Sequence, residues 1–251
     1  MAVSEAARKN HDELFPGLVS TLAVTDPELI EIFDNFAFDE VLLDGGLDTR
    51  TRLMVQLAAL IACQALSEYR VMLGAALTVG VTPVEAKEIV YQAVPYVGMA
   101  KVFDFIHATN DVLSDRGVQL PLEGQSTTTP DTRAAKGLAV QKEIVGADRI
   151  DQMYTAAAPD EVHFQHFLSA NCFGDHYTRT GIDIRTRELL TFAMLVSLGG
   201  CEPQAKGHVA ANLNVGNNRG VLLSLITQLL PFIGYPRTLN ALAVINEVTK
   251  A

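Results

Sequence analysis

The sequence predicts an all-α protein that consists of two tandem copies of one helical unit, related by a pseudo-twofold axis. Three observations support this prediction: an internal repeat at a nearly constant offset, apolar residues at helical spacing behind helix-start signals, and a lack of hairpin signals. The one Asp-Gly pair, Asp44-Gly45, leads into a helix-like segment and does not separate two alternating strand patterns. A fold made of strands is therefore disfavoured.

The repeat runs through most of both halves of the chain. Five residues of the first half recur 136 residues later, namely Gly80, Pro95, Gly98, Asn110 and Val112, which match Gly216, Pro231, Gly234, Asn246 and Val248. Upstream, GLDTRTR at residues 46–52 matches GIDIRTR at 181–187 with an offset of 135, so one residue was gained between Arg187 and Cys201. Because this period is too long for a solenoid, we expect two similar domains or two halves of one pseudo-symmetric body.

Local signals place helix ends in both halves. Residues 26–28 (DPE) offer an N-cap, a proline at the first helical position and an acidic first turn. Thr82 and Glu85 have the spacing of a capping box. Gly80 and Gly216 are placed to end the preceding helices in the left-handed conformation.

The domain boundaries follow from a change in composition. Residues 114–131 (SDRGVQLPLEGQSTTTPD) mix Gly, Pro, Ser and Thr without apolar periodicity, as exposed connections do. We place the first copy at residues 1–118, a linker at 119–131, and the second copy at 132–251.

Composition excludes several classes of partner. A net charge of -10 repels nucleic acid and anionic membrane surfaces. The polar start of mixed charge lacks the apolar core of a signal peptide, and the longest apolar runs are too short to span a membrane. The three cysteines, Cys63, Cys172 and Cys201, are far apart and form no CxxC pair, which is typical of a reducing compartment and argues against a structural zinc site. We therefore expect a cytoplasmic protein that binds neither nucleic acid nor membranes and holds no metal.

The second copy contains a cluster of reactive side chains. If Pro203 lies in the first turn of a helix, Gln204 and His208 are four residues apart and share one face. Cys201 then lies at the N-terminus of that helix, where unpaired N–H groups and the helix dipole can lower the pKa of a thiol. His208 can exchange a proton near neutral pH, and Glu188, thirteen residues before Cys201, is a candidate to orient it.

The first copy lacks this set. At the matching positions it has Ala65 for Cys201, Glu68 for Gln204, Met72 for His208 and Leu53 for Glu188. Only the second copy is therefore predicted to be chemically competent. The matched pair Tyr96 and Phe232 is interpreted as core packing, the usual role of aromatic residues at helical spacing.

At this point the residues resemble those of the carboxymuconolactone decarboxylase and alkyl hydroperoxidase D family. The shared pieces are RTRE at residues 185–188, then His208, Gly216, and GYPRTLNA at 234–241, and the resemblance covers nearly the whole chain, once per copy. It implies a tandem two-copy member with alkyl hydroperoxidase D-like helical units.

The resemblance leaves more than one function open. The peroxidase branch of the family has C-x-x-C-x-x-x-H with an upstream glutamate; here Cys201 and His208 fit the first Cys and the His, but Gln204 replaces the second Cys. The missing resolving thiol favours the decarboxylase branch, which needs no thiol. A thiol-dependent peroxidase that uses Cys201, and a non-enzymatic binding or assembly module, remain the alternatives.

For the decarboxylase branch, the resemblance implies the loss of carbon dioxide from a carboxylated unsaturated lactone without metal or organic cofactor. His208 would be the proton donor, supported by Glu188 and Cys201. Five side chains are candidates for binding the anionic substrate, namely Gln204, Arg185, Arg187, Lys206 and Arg237. Single-copy members of the family form rings, so the resemblance also implies a homotrimer with pseudo-hexameric symmetry.

Overall fold

The computed structural model describes residues 2–18 and 20–250 of the chain. Helices account for most of this part, and it contains no β-strand, so the predicted all-α class is confirmed. Within the same residues, none of the helices is both long and apolar enough to cross a membrane.

The two halves have similar orders of helices. The first half contains α1 (Glu5–Leu14), α2 (Leu22–Thr25), α3 (Pro27–Asn35), the π-helix π1 (Phe36–Glu40), α4 (Val41–Leu43), α5 (Thr49–Ala62), α6 (Leu66–Thr78), α7 (Pro83–Val97) and α8 (Met99–Asp115). The second half contains α9 (Arg133–Val145), α10 (Ala147–Ala156), α11 (Val162–Phe167), the π-helix π2 (Leu168–Tyr177), α12 (Ile184–Leu198), α13 (Glu202–Asn214) and α14 (Arg219–Thr249). Residues 116–132, between the halves, are described and contain no helix.

The repeated motifs at residues 46–52 and 181–187 each begin a central helix. Asp48 caps α5 by accepting a hydrogen bond from the backbone N–H of Thr51, and Asp183 caps α12 by accepting one from Thr186, both at 2.9 Å. The first N–H groups of a helix lack partners within the helix, so a carboxylate at this position stabilises its start. The two copies therefore share this motif because both need the same cap.

Glycine and capping residues fix the other helix ends in matching ways. The capping box of Thr82 and Glu85 is present at the start of α7, and Asn218 caps α14 by accepting from a backbone N–H. Gly98 (φ 89°) separates α7 from α8, whereas Gly234 (φ 77°) produces a kink within α14. Both φ values lie in the region that favours glycine. The single helix α14 therefore corresponds to α7 and α8 together.

The two copies share one core. Helices α5 and α12 are buried along most of their length and pack against each other, α12 also packs against α7 of the first copy, and α5 packs against α14 of the second. One apolar cluster contains residues from both halves, including Leu53, Leu57, Leu190, Phe192 and Leu225. The chain is thus one pseudo-symmetric body in which each copy covers the central helix of the other.

Candidate functional site

Glu188 and His208 meet where α12 packs against α13. The carboxylate of Glu188 is fully buried, and its Oε2 lies 2.8 Å from Nδ1 of His208, whose side chain is 16% exposed. Asn212 joins the two helices by donating to the backbone carbonyls of Glu188 (3.1 Å) and His208 (2.7 Å). Because a carboxylate only accepts, Nδ1 carries the hydrogen and Nε2 is the nitrogen left for a substrate. No group in the described part of the chain hydrogen-bonds to Nε2.

The second oxygen of Glu188 binds a tyrosine. The hydroxyl of Tyr177, the last residue of π2, donates to Oε1 at 2.7 Å. The same hydroxyl lies 2.9 Å from that of Thr191, one turn further along α12. A buried carboxylate without donors would be strongly destabilising. Both oxygens of Glu188 have a donor, which explains how this acidic side chain is accommodated inside the fold.

Helix α7 of the first copy contributes Tyr96 to this site. Its hydroxyl lies 3.0 Å from that of Tyr177, and its ring contacts the imidazole of His208 edge to face, with 5.6 Å between ring centroids. The thiol of Cys172 in turn donates to the hydroxyl of Tyr96 at 3.7 Å. Because the single hydroxyl hydrogen of Tyr177 is used toward Glu188, Tyr96 donates to Tyr177. The hydrogen bonds therefore run in one direction, from Cys172 to Glu188.

Burial keeps these donors protonated. Removal from solvent is the largest cause that raises the pKa of Tyr96 and of Tyr177 well above the ordinary value, and neighbouring acidic groups raise both further. Burial also raises the pKa of the Cys172 thiol to about 12. At neutral pH all three groups hold their protons, so they act as hydrogen-bond donors and not as bases.

Arg187 lies in a buried ion-pair layer behind the site. Its guanidinium is fully buried and donates to Glu88 (2.8 Å), to Gln92 (3.0 Å) and to two backbone carbonyls. Gln92 in turn donates to the hydroxyl of Thr191 at 3.2 Å. Nη1 and Nη2 of Arg187 thus bind partners inside the fold, whereas its buried Nε has no hydrogen-bond partner among the described residues. The predicted role of Arg187 in substrate binding stays a prediction.

The other predicted substrate-binding residues lie on the surface. Arg185 donates to a backbone carbonyl at 3.1 Å, and Lys206 forms an ion pair with Glu247. Gln204 and Arg237 are exposed. In the described part of the chain, no hydrogen bond or ion pair connects any of these four predicted side chains with His208. Their contact with a substrate stays a prediction.

Cys201 does not have the environment that its position in the sequence suggested. It is the N-cap residue of α13, yet its thiol points back and donates to the carbonyl of Leu195 at 3.1 Å. Burial, and next the negative charge of Glu202, raise the pKa of this thiol, so the expected lowering is wrong. No hydrogen bond joins Cys201 to Glu188 or His208 within residues 2–18 and 20–250.

Tyr96, Tyr177 and Cys172 are the residues of the site that sequence reasoning missed. Tyr96 was assigned to core packing together with Phe232, its match in the repeat. A signal was present, because the hydroxyl distinguishes Tyr96 from Phe232 just as the imidazole distinguishes His208 from Met72. Comparing polar residues of one half with their matches in the other half could therefore have singled out Tyr96.

Replacing Tyr177 with phenylalanine is expected to lower the free energy of unfolding by about 1–3 kcal/mol, because Oε1 of buried Glu188 loses its donor. Urea denaturation of the full chain measures this. Tyr235→Phe is a suitable control, since Tyr235 is 61% exposed and should change stability little. Equal stabilities of the two variants would contradict the assigned hydrogen bond.

Cys201 is expected to react slowly with iodoacetamide at pH 7 in the folded protein, because only the thiolate reacts and its pKa is raised. The rate should rise about tenfold per pH unit below that pKa, as it should for Cys63, whose pKa burial also raises. Cys172 should react only after unfolding. Peptide mass spectrometry between pH 7 and pH 9 resolves the three sites, and denatured protein is the control. Rapid alkylation of Cys201 at pH 7 would favour the peroxidase alternative.

The fold agrees with what the chain is similar to. A model of the carboxymuconolactone decarboxylase family matches residues 27–111 and 163–247, one match in each copy. The 4-carboxymuconolactone decarboxylase of Acinetobacter baylyi is 29% identical over 120 residues, which cover 48% of this chain and 89% of that protein. That relative therefore matches about one copy of the unit that occurs twice here.

Proposed function

Because the chain belongs to the carboxymuconolactone decarboxylase family, we propose that it is a cofactor-free decarboxylase of a small carboxylated, unsaturated lactone. The observation that carries this proposal is the pair of Glu188 and His208, in which a buried carboxylate holds Nδ1 and leaves Nε2 for a substrate. The first copy has Leu53 and Met72 at these positions. The second copy is therefore the proposed place of the reaction.

The proposed reaction requires two contributions from the protein, namely stabilisation of negative charge and delivery of a proton. The bond between the ring carbon and the carboxylate breaks, carbon dioxide leaves, and the electron pair passes into the conjugated system that ends at the lactone carbonyl. The substrate thus accepts its own electrons. A proton must then be added to carbon, which a correctly placed general acid accelerates. Donors aimed at the lactone oxygen stabilise its developing charge.

His208 is the proposed general acid. The proton that it delivers leaves from Nε2, while the Nδ1–H is held by Glu188. Tyr177 and Tyr96 position this pair, the first through Oε1 of Glu188 and the second through the face-to-edge contact with the imidazole. The exposed cations Arg185, Lys206 and Arg237 are the proposed contacts for substrate carboxylates.

A direct assay tests the proposal. The purified full chain, treated with a chelator and without added cofactor, is incubated with 4-carboxymuconolactone, and carbon dioxide release and the ultraviolet absorbance of the product are followed. We expect release of one carbon dioxide per lactone consumed, at a rate above that of the uncatalysed reaction. Carbon dioxide release at the uncatalysed rate would overturn the proposed activity.

We also propose that three chains assemble into a trimer with six helical units. Multi-angle light scattering should give a molar mass of three times the 27.1 kDa of one chain. A molar mass equal to that of one chain would contradict the trimer and leave the proposed chemistry unaffected.

A further inference from the structure

A cavity, which we term the linker cavity, lies between α7, α8 and residues 120–125 and has a volume of about 350 Å³. Helix α7 contributes one face to it, because Val84, Lys87, Glu88 and Tyr91 are spaced three and four residues apart. Volumes of roughly 300–1,000 Å³ are typical of sites for small ligands. Neither residue of the proposed catalytic pair lines this cavity.

Positive charge is concentrated at the linker cavity although the whole chain carries a net charge of -10. Arg179 and Arg187 both pair with the single buried carboxylate of Glu88, which leaves one uncompensated positive charge in that cluster. Lys87 adds a second cation; among the described residues it donates to the neutral amide oxygen of Asn110 and pairs with no carboxylate. Glu123 also lines the cavity and has a negative charge, but its side chain is exposed to solvent. The cavity therefore attracts a single anionic group.

The partial burial of Lys87 also favours an anionic ligand. Desolvation lowers the pKa of its ammonium group, because the charged form has lost water without gaining a carboxylate partner. An anion placed beside Lys87 would supply that missing partner. Charge-assisted hydrogen bonds of this kind are about twice as strong as neutral ones.

One end of the linker cavity is anchored inside the fold. Gln125 is held by Thr180, whose backbone N–H donates to its carbonyl at 3.0 Å and whose hydroxyl donates to its side chain at 2.6 Å. The backbone N–H groups of residues 122–124 donate to no other described residue. Two cations lie over the Tyr91 ring, with the Arg179 guanidinium carbon 5.1 Å and Lys87 Nζ 5.7 Å from its centroid. A ligand would thus meet N–H donors without partners, two cations and an aromatic side chain.

We propose that the linker cavity binds a small aromatic monocarboxylate. Its carboxylate lies between Lys87 and the N–H groups of residues 122–124, and its ring packs against Tyr91 and the apolar side chains of Val84 and Leu122. This site is separate from the proposed catalytic pair and does not depend on the lyase activity. It gives the first copy a binding function of its own.

Calorimetric titration of the full chain with benzoate, and with the neutral isostere benzamide, tests the proposal. We expect saturable binding of benzoate, at least tenfold weaker binding of benzamide, and a loss of at least tenfold in benzoate affinity in Lys87→Met. Lys101→Met is the matched control, since Lys101 is exposed and does not line the cavity. His208→Ala should bind benzoate as the unmodified chain does. Equal binding of benzoate and benzamide, no saturable binding of millimolar benzoate, or loss of binding in His208→Ala with retention in Lys87→Met would each overturn the proposal.

A second measurement needs no variant and covers the case in which Lys87→Met fails to fold. An amine-acylating reagent is applied to the unmodified chain with and without benzoate, and the acylation of each lysine is quantified by mass spectrometry. Benzoate should slow acylation of Lys87 severalfold and leave Lys101 unchanged. Equal protection of both lysines, or no protection of Lys87, would overturn the proposal.

Discussion

Replacing His208 with alanine is expected to lower kcat for lactone decarboxylation by about 10²- to 10⁴-fold, the range that general acid catalysis contributes. The reason is that Nε2 is the nitrogen of the Glu188–His208 pair that is left for a substrate. Steady-state assays of the full chain measure the effect. His163→Ala is the control, since His163 is exposed on α11 and should leave kcat unchanged.

A second variant separates proton transfer from positioning. His208→Gln retains an amide N–H that can donate to the carboxylate of Glu188 but cannot deliver a proton. We expect it to be as impaired as His208→Ala, with a KM close to that of the unmodified enzyme. A kcat near that of the unmodified enzyme in either variant would exclude His208 as the proton donor.

Replacing Glu88 with glutamine is expected to lower the free energy of unfolding by about 3–5 kcal/mol, as is typical when one partner of a buried ion pair is neutralised. Two arginines would lose their counter-charge, and Arg187 is fully buried. Urea denaturation of the full chain measures the change. We expect the loss of stability to arise from the uncompensated charge of the arginines and not from lost volume, because the side chains of glutamate and glutamine are nearly isosteric.

The surface pair of Arg70 and Asp111 provides a matched comparison for Glu88→Gln. Its atoms are 2.7 Å apart, and both side chains are exposed. Asp111→Asn makes the same change from acid to amide and should cost less than about 1 kcal/mol, because solvent screens exposed pairs. If Asp111→Asn and Glu88→Gln changed stability equally, the buried layer would not have the energetic role assigned to it.

The fold could be predicted from the sequence because its signals are local. The capping box of Thr82 and Glu85, and Gly80 (φ 92°) and Gly216 (φ 91°) after the ends of α6 and α13, act within a few residues. The repeat then showed that these signals occur twice. Neither π-helix was predicted, since the same helical periodicity fits an α-helix and a π-helix over so few residues.

The sequence could predict only those residues of the site whose relative positions follow from the spacing along one helix. Tyr96 was missed because it reaches Tyr177 across 81 positions of the chain and from the other copy, which no local pattern indicates. The predicted lowering of the Cys201 pKa was wrong because Gly199 (φ 69°) and Gly200 (φ 72°) change the direction of the chain immediately before Cys201. The thiol consequently turns toward the end of α12 and away from the N–H groups of α13.

The burial of Arg187 could not be predicted, for a different reason. Arginine is rarely buried without a charged partner, so a sequence gives it a surface role by default. The matching Arg52 in the first copy is also buried, with 9% of its surface exposed. Because both copies bury an arginine at the same place in the repeated motif, this residue contributes to the architecture that they share.

The contribution of Tyr96 by α7 has a consequence for any attempt to divide the chain. Tyr96 belongs to the first half, yet its hydroxyl bonds to Tyr177 and its ring contacts His208, both in the second half. At the matching position Phe232 packs against Phe33 with 6.0 Å between ring centroids, so this contact also joins the two halves. A C-terminal fragment expressed alone would therefore lack one of the side chains that surround the imidazole.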